Sequence, residues 1–471
     1  MTNKIEQESS RDIAFEKSDE EKAYVKKLNW TFLPLVGAIV FIQFCDKASL
    51  SIAAVMGIME DAKLTGEEFS WLGSIFYLGY LLFQLPNNLL LQRVSHGPYL
   101  GVLLVLWGTV MIITAICHTF AQLAAARFLL GLFEAGTNPC LYIILSRLYR
   151  RSEQSACFGF TTICTGLGIV IGTVASFGIA YMDKLGGWRA WRWGYIIFGV
   201  ATIILGVIVF FFLVDDPNSP LLNLSERQKL IVEERTRDNA VVKSSHFKYY
   251  QMWEAIKEPR LWLLSFATLC SSLQNGGLIT FSTQFVKGLG FSSTQSILLQ
   301  IPGGLAAAFG ALTGVWISRK TNQTIYTSIL MSFISMLGCI LLAAIPQGTI
   351  KLLGYYISWA VAGATTLALT IISNDVSGYT KKICYNGMNM IFFTVGNFIG
   401  PLMMVENQSP RYVGGMVGFA AANLVTILCM LFVRMLMARE NKKRLMNQDT
   451  EPTDVYLDKT DKEDKNFIYR L

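Results

Sequence analysis

Apolar positions along the chain fall into long blocks, unlike the short alternations of strands or the one-sided stripes of soluble helices. Each block is bounded by short clusters of glycine, proline and charge. A hydrocarbon layer about 30 Å thick takes ~20 helical residues to cross. On that measure the pattern predicts twelve spans, at roughly residues 30–55, 70–92, 99–117, 121–146, 155–181, 193–214, 260–285, 295–317, 323–345, 351–374, 385–405 and 413–437. Six fall on each side of residues 215–259, which run from Asp215-Asp216-Pro217 to Glu258-Pro259. Within that stretch Ser225-Glu226-Arg227-Gln228 has the spacing of a capping box, so a helix near the membrane surface is expected there. The expected organisation is a tail at 1–28, a six-helix bundle at 29–214, a central loop at 215–259, a second bundle at 260–437 and a charged, disordered tail at 438–471.

Composition strengthens this picture of an all-α membrane protein. Hydrophobic residues make up 52% of the chain and charged residues 15%, with a mean hydropathy of +0.42; soluble chains carry nearer ~25% charge. The net charge of +7 is spread along the flanks of the spans and forms no groove-sized cluster, so no nucleic-acid partner is expected. The nine cysteines lie almost all inside apolar runs with no CxxC pair, and read as small buried hydrophobes rather than a disulfide or zinc framework. The amino-terminal stretch is charged and lacks the apolar core of a signal peptide, so the first span is expected to act as its own insertion signal. Placing both termini in the cytosol puts most of the Lys and Arg on that side, as the positive-inside rule requires.

A charge at a helix centre in hydrocarbon costs at least ~2.5–3.5 kcal/mol, so the few ionisable residues inside the spans are informative. Asp46 and Lys47 are adjacent in the first span, in FCDKASLSIAA; Arg127 and Glu134 lie in the fourth, in RFLLGLFEAGTNP. Arg127, Gly131, Glu134 and Asn138 recur at helical spacing and share one face. Adjacent helical residues diverge by ~100°, so Asp46 and Lys47 are expected to pair across helices with Arg127 and Glu134. Two readings fit these four: a structural clamp between the first and fourth helices, or a proton relay combined with an anion site. The chemistry favours the second. A carboxylate in a water-accessible cavity beside a cation is poised to change protonation, and the cation is then free for a substrate carboxylate.

FCDKASLSIAA, LTGEEFSWLGSIFYLGYLLFQLP and RFLLGLFEAGTNP, followed in order by GWRAWRWGYIIFG, DDPNSPLLNLSERQ and QMWEAIKEPRLW, resemble the anion:cation symporters of the major facilitator superfamily, and within it the fungal allantoate permease group. The similarity runs from about Lys26 to Arg439. It implies two six-helix bundles that rock around a central site and proton-coupled import of small organic anions, among them allantoate, ureidosuccinate, short peptides, amino acids and vitamin carboxylates. It also implies that Asp46 and Glu134 form the protonatable pair, with Lys47 and Arg127 as cationic partners of the cargo. Lysine at 47 offers a point charge where other branches use the arginine fork. The coupling ion would be the proton, with no further cofactor, in a monomer of the plasma membrane.

Weaker candidates for contact with cargo are Tyr77, with Phe76 and Tyr80, in the second span, Gln274 and Asn275 in the seventh, and Asn389 and Asn397 in the eleventh. Gly276-Gly277 is expected to loosen the seventh helix beside them. Hydrogen bonding between helices is the competing role for each amide. The loop LLLQRVSHGP keeps only Arg93 and Gly97 of the superfamily's usual acidic-basic motif, which makes the contacts at that face an open point. Three other functions would leave different marks in the sequence. A drug or metabolite antiporter would favour proline in the glycine-rich fifth span, GFTTICTGLGIVIGTVASFG, which has none. A transporter-like nutrient sensor would favour a long cytosolic extension. An enzyme would need a convergent nucleophile, base or metal set, and the sequence offers none.

Overall fold

The structure, a computed structural model, describes residues 19–240, 248–346, 348–446 and 458–471. Twelve long helices cross it: α1 Asp19–Val55, α2 Gly66–Leu90, α3 His96–Ala115, α4 Phe120–Leu148, α5 Arg151–Ala180, α6 Ala190–Phe212, α7 Pro259–Gly288, α8 Ser293–Thr321, α9 Thr324–Ala344, α10 Lys351–Asp375, α11 Tyr379–Leu402 and α12 Val413–Met446. Among the described residues there is no strand. By length and apolar content alone, nine of these helices qualify as membrane spans. The other three, α2, α7 and α11, are long enough at 25, 30 and 24 residues but more polar. Their packing explains the difference. α7 lies against α1 and α11, and α11 against α2, so these three build the seam between the two halves. Polar side chains there meet protein instead of lipid.

Local chemistry sets the helix ends and the close approaches. Thr65 opens α2 with a capping box: the Glu68 N–H donates to its hydroxyl at 3.2 Å, and its own N–H donates to Glu68 Oε2 at 2.9 Å. α4 breaks at Ala135–Gly136, because Pro139 has no N–H to give the Ala135 carbonyl. A Cβ on Gly131 of α4 would overlap the Phe76 carbonyl of α2, and one on Gly79 of α2 would overlap the Phe128 carbonyl. The two backbones therefore touch, and the flanking Arg127 and Glu134 are fixed by that crossing. α7, expected to loosen at Gly276-Gly277, is one continuous helix. A Cβ on Gly276 would lie 2.8 Å from Asn397 Cα, and one on Gly277 would overlap the Phe419 ring. The pair gives α7 close contact with α11 and α12 rather than a break.

An even number of spans puts both termini on one face. The halves join at the opposite face. Ser51 Oγ lies 2.8 Å from Ser282 Oγ and 3.0 Å from Thr283 Oγ1, and the Thr283 hydroxyl also donates to the Ser51 carbonyl. Phe69 meets Phe281 edge-on at 5.3 Å, and Phe281 packs on Tyr412 at 5.4 Å.

The connection between the halves is divided between them. The expected capping box forms, with Ser225 N–H donating to Gln228 Oε1 at 3.1 Å and Gln228 N–H to Ser225 Oγ at 3.2 Å. It opens the helix Glu226–Ala240, which Arg235 ties to the first half through Glu21 (2.6 Å) and Glu153 (2.5 Å). A second helix, Tyr249–Lys257, belongs to the other half. There Gln251 Oε1 accepts the Thr380 N–H at 3.1 Å and Glu254 pairs with Lys381 at 2.7 Å.

Two expected boundaries need correction. Asp19–Leu28, placed in the first tail, are the opening turns of α1, with Tyr24 and Leu28 fully buried; residues 1–18 of that tail lie outside the described residues. The final tail, expected to be disordered from 438, is helical to Met446, and residues 458–471 fold back onto the second half. Asp461 is buried between Arg260 (2.6 Å) and Lys381 (2.8 Å). Tyr469 donates to Asp461 Oδ2 at 2.7 Å, and the Arg470 N–H donates to Asp375 Oδ1 at 2.6 Å. Burial works against the Asp461 carboxylate, but Arg260 and Lys381 outweigh it and hold its pKa down to about 2. Charge density that suggests solvation in the sequence is neutralised here by charge from three other elements.

Candidate functional site

Gln43 and Lys47 stand one turn apart on α1, on the face turned toward α4. Both reach the same atom. Glu134 Oε1 accepts from Gln43 Nε2 at 2.9 Å and lies 3.2 Å from Lys47 Nζ. Glu134 is fully buried, and its second oxygen, Oε2, has no hydrogen-bond partner among the described residues. A buried carboxylate oxygen without a donor is unusual in a folded protein.

Asp46, one residue before Lys47, points elsewhere. Its carboxylate accepts from Trp107 Nε1 of α3 at 2.9 Å and from Ser49 Oγ at 3.2 Å. Arg127 donates to the Tyr195 hydroxyl of α6 at 3.0 Å and stacks over that ring. The expected exchange of partners is thus half realised. Lys47 pairs with Glu134, but among the described residues no cation stands within ion-pair range of Asp46. Asp46 and Arg127 do share a narrow gap of about 30 Å³ with Lys47, Tyr77 and Thr280 of α7, the volume of a single water. Tyr77, expected to contact cargo, lines this gap.

On the terminus-bearing side of Glu134 lies a second cavity of about 280 Å³, lined by Gln43, Lys47, Asn138, Tyr142, Thr161 and Thr165. Asn138 falls beyond the break in α4 and faces this space, half-buried. Lys47 borders both openings. Its side chain is 26% exposed and that of Glu134 not at all, so the cavity sees the cation and not the anion behind it.

The amides of the second half behave differently. Gln274 was expected to hydrogen-bond cargo. It is instead fully buried, giving Nε2 to the Ser358 carbonyl at 2.6 Å and accepting at Oε1 from Ser335 (2.9 Å) and Asn423 (2.6 Å). It joins α7 to α9, α10 and α12. Asn389 accepts from Thr268 at 2.6 Å, and Asn397 accepts from Asn275 at 2.8 Å while donating to the Phe393 carbonyl. Asn389 and Asn397 are buried in helix contacts, so of these four only Asn275 keeps partial exposure. Gln43, Trp107 and Tyr195 join the site without standing among the residues expected there. Gln43 carried a usable signal, four residues from Lys47 on one helical face; Trp107 and Tyr195 lie in distant spans with no local mark. At the loop after α2, Asp215 supplies an acid the local motif lacks, its Oδ2 accepting the Gly97 N–H at 2.9 Å. Among the described residues, no group of three His, Cys, Asp or Glu side chains is placed to hold a metal.

A sequence model of the Major Facilitator Superfamily matches residues 36–401. An uncharacterised transporter of Schizosaccharomyces pombe is 32% identical, over 98% of this chain and 92% of that protein. The allantoate permease of Saccharomyces cerevisiae is 30% identical, over 96% of this chain and 87% of its own length. Among solved structures, a bacterial homologue of the human lysosomal transporter Spinster, inward-facing and occupied, superposes with a TM-score of 0.70 at 16% identity, covering 93% of this chain and all of that one.

Proposed function

The chain belongs to the Major Facilitator Superfamily, in its allantoate permease-like branch, and from that premise we propose that this membrane transporter is a proton-coupled importer of a small organic anion. The observation that carries the reading is the state of Glu134, one oxygen held by Lys47 and Gln43 and the other without a donor among the described residues. With Glu134 ionised, its charge holds the Lys47 ammonium. A proton on Oε2 removes that charge and leaves Lys47 to pair with a cargo carboxylate in the adjoining cavity. Loss of the proton restores the Lys47–Glu134 pair and releases the cargo.

Asp46 is the second proton carrier in this scheme, its carboxylate aimed by Trp107 and Ser49. Arg127, Tyr77 and Asn138 contribute polar contacts from the walls of the two openings. The coupling ion is the proton, with no other cofactor. With both termini cytosolic, the 280 Å³ cavity lies on the cytosolic side and the joined seam faces outward, the arrangement of a carrier at the release stage of import. The protein acts as a monomer in the plasma membrane.

Purified protein in liposomes with an inward proton gradient, offered a panel of labelled carboxylates, tests the proposal. At least one carboxylate accumulates above its external concentration, and a protonophore abolishes the excess. Accumulation that survives the protonophore, or preference for cations in the same panel, would contradict it.

A further inference from the structure

On the face opposite the termini, two arginines and a tryptophan crowd a single carboxylate. Asp61, just after α1, accepts from Trp191 Nε1 at 3.0 Å and from Arg192 Nε at 3.2 Å on Oδ2, while Arg189 Nε lies 3.7 Å from its Oδ1. Arg192 is nearly buried and also donates to the Ala115 carbonyl at 2.6 Å. Its third contact is His118 Nδ1, at 3.1 Å. A guanidinium only donates, so Nδ1 accepts and the neutral ring carries its proton on Nε2. Lys184 enters the group from the α5–α6 turn in a left-handed conformation, φ 66°.

These side chains line a cavity of about 430 Å³ with Ile116, Gly187 and Trp188. Three permanent cations face one carboxylate, and that carboxylate is already occupied by Trp191 and Arg192. What else lines the space is donor capacity: the Lys184 ammonium, the Arg189 guanidinium and the His118 ring. The cavity wall is also open to the bilayer side. Ile116 is 56% exposed and Trp188 38%. They stand at the ends of α3 and α6, whose outer faces carry the exposed Leu106, Ile113, Val200 and Ile204. Trp188 lies 6.1 Å from Trp193, the arrangement of an aromatic belt at a membrane interface.

We propose that this cavity is a phosphate-binding site at the membrane interface, separate from the Lys47–Glu134 centre, in which Lys184, Arg189 and His118 hold an oxyanion of phosphate chemistry. The position beside exposed apolar side chains suits the headgroup of an anionic phospholipid; a free phosphate in solution offers the same oxygens. Lys184 and Arg189 are exposed enough to be replaced without disturbing the packing around Arg192.

Calorimetric titration of the purified full chain, with inorganic phosphate, with short-chain phosphatidylglycerol and with phosphatidylcholine as the neutral-headgroup reference, tests the proposal. At least one of the two anionic ligands binds saturably, and the Lys184→Gln, Arg189→Gln double variant weakens it tenfold or more. Lys287→Gln, an exposed cation on the same face, leaves the affinity unchanged, and phosphatidylcholine shows no saturable binding. Phosphatidylglycerol binding without phosphate binding identifies the headgroup as the ligand, and the reverse identifies the free ion. Absence of saturable binding by both, equal binding by the double variant, or equal loss in Lys287→Gln overturns the site.

Discussion

At the scale of single residues, the two acids of the first half differ in what surrounds them. Asp46 accepts a hydrogen bond at each oxygen, whereas Glu134 has one oxygen doubly engaged and one empty. Trp107 is therefore a holder of Asp46, and Trp107→Phe removes a bond to a charged group without opening a large void. The expected cost is roughly 1.5–3 kcal/mol of stability, read as a lower unfolding midpoint in detergent; an unchanged midpoint would mean that the indole bond contributes nothing. Asp46, Lys47, Arg127 and Glu134 were legible in the sequence because charge inside an apolar run is conspicuous. Their partners were not. A tryptophan or tyrosine in a span is indistinguishable from packing until the fold brings it against a carboxylate or a guanidinium.

At the scale of helices, the geometry of the site depends on residues that carry no chemistry. Gly131 lies between Arg127 and Glu134 on α4 and touches the backbone of α2 at Phe76. Gly131→Ala pushes these helices apart and is expected to cost roughly 1–3 kcal/mol by overpacking. It should also lower uptake at least tenfold in liposomes although every ionisable group remains; wild-type uptake by this variant would show that the α2–α4 crossing does not set the site. Gln274→Leu removes three interhelical bonds from the second half. At ~0.6 kcal/mol for a membrane hydrogen bond, it should lower thermal stability by about 2 kcal/mol while leaving the affinity for cargo unchanged. A specific loss of affinity without loss of stability would return Gln274 to the binding site. Each of the twelve expected spans coincides with a long helix, and the capping box expected at Ser225 forms, because apolar length and capping chemistry are local. The sequence could not separate a glycine pair that breaks α7 from one that lets α11 and α12 approach, since the two differ only in what stands opposite.

At the scale of the whole molecule, each half carries its own part of the connecting segment, and the second half is further bound by the carboxy-terminal residues. The Asp461 pKa of about 2 lies below the ordinary carboxylate value near 3.9, so its contribution, about 2–3 kcal/mol, is complete above pH ~4 and is lost as pH falls toward 2. Deuterium uptake of residues 458–471, corrected for the intrinsic effect of pH, should stay flat from pH 7 to 5, rise below pH 4, and be high at neutral pH in Asp461→Asn. Rapid uptake by the wild type at neutral pH would contradict the docking of this segment. Transport energetics belong to this scale as well. A monoanion entering with one proton gains about 1.4 kcal/mol per pH unit. With two protons it gains twice that from the pH gradient, and at 100 mV the extra charge adds ~2.3 kcal/mol. A two-proton cycle, one on Asp46 and one on Glu134, thus carries net inward current, and the one-proton cycle carries none.

The sharpest experiment separates accumulation from exchange in Glu134→Gln. Glutamine keeps the shape of the side chain and removes its titration, so cargo should still swap across the liposome membrane while uphill uptake driven by a proton gradient disappears. Uphill accumulation at the wild-type level in Glu134→Gln would contradict a coupling role for this carboxylate.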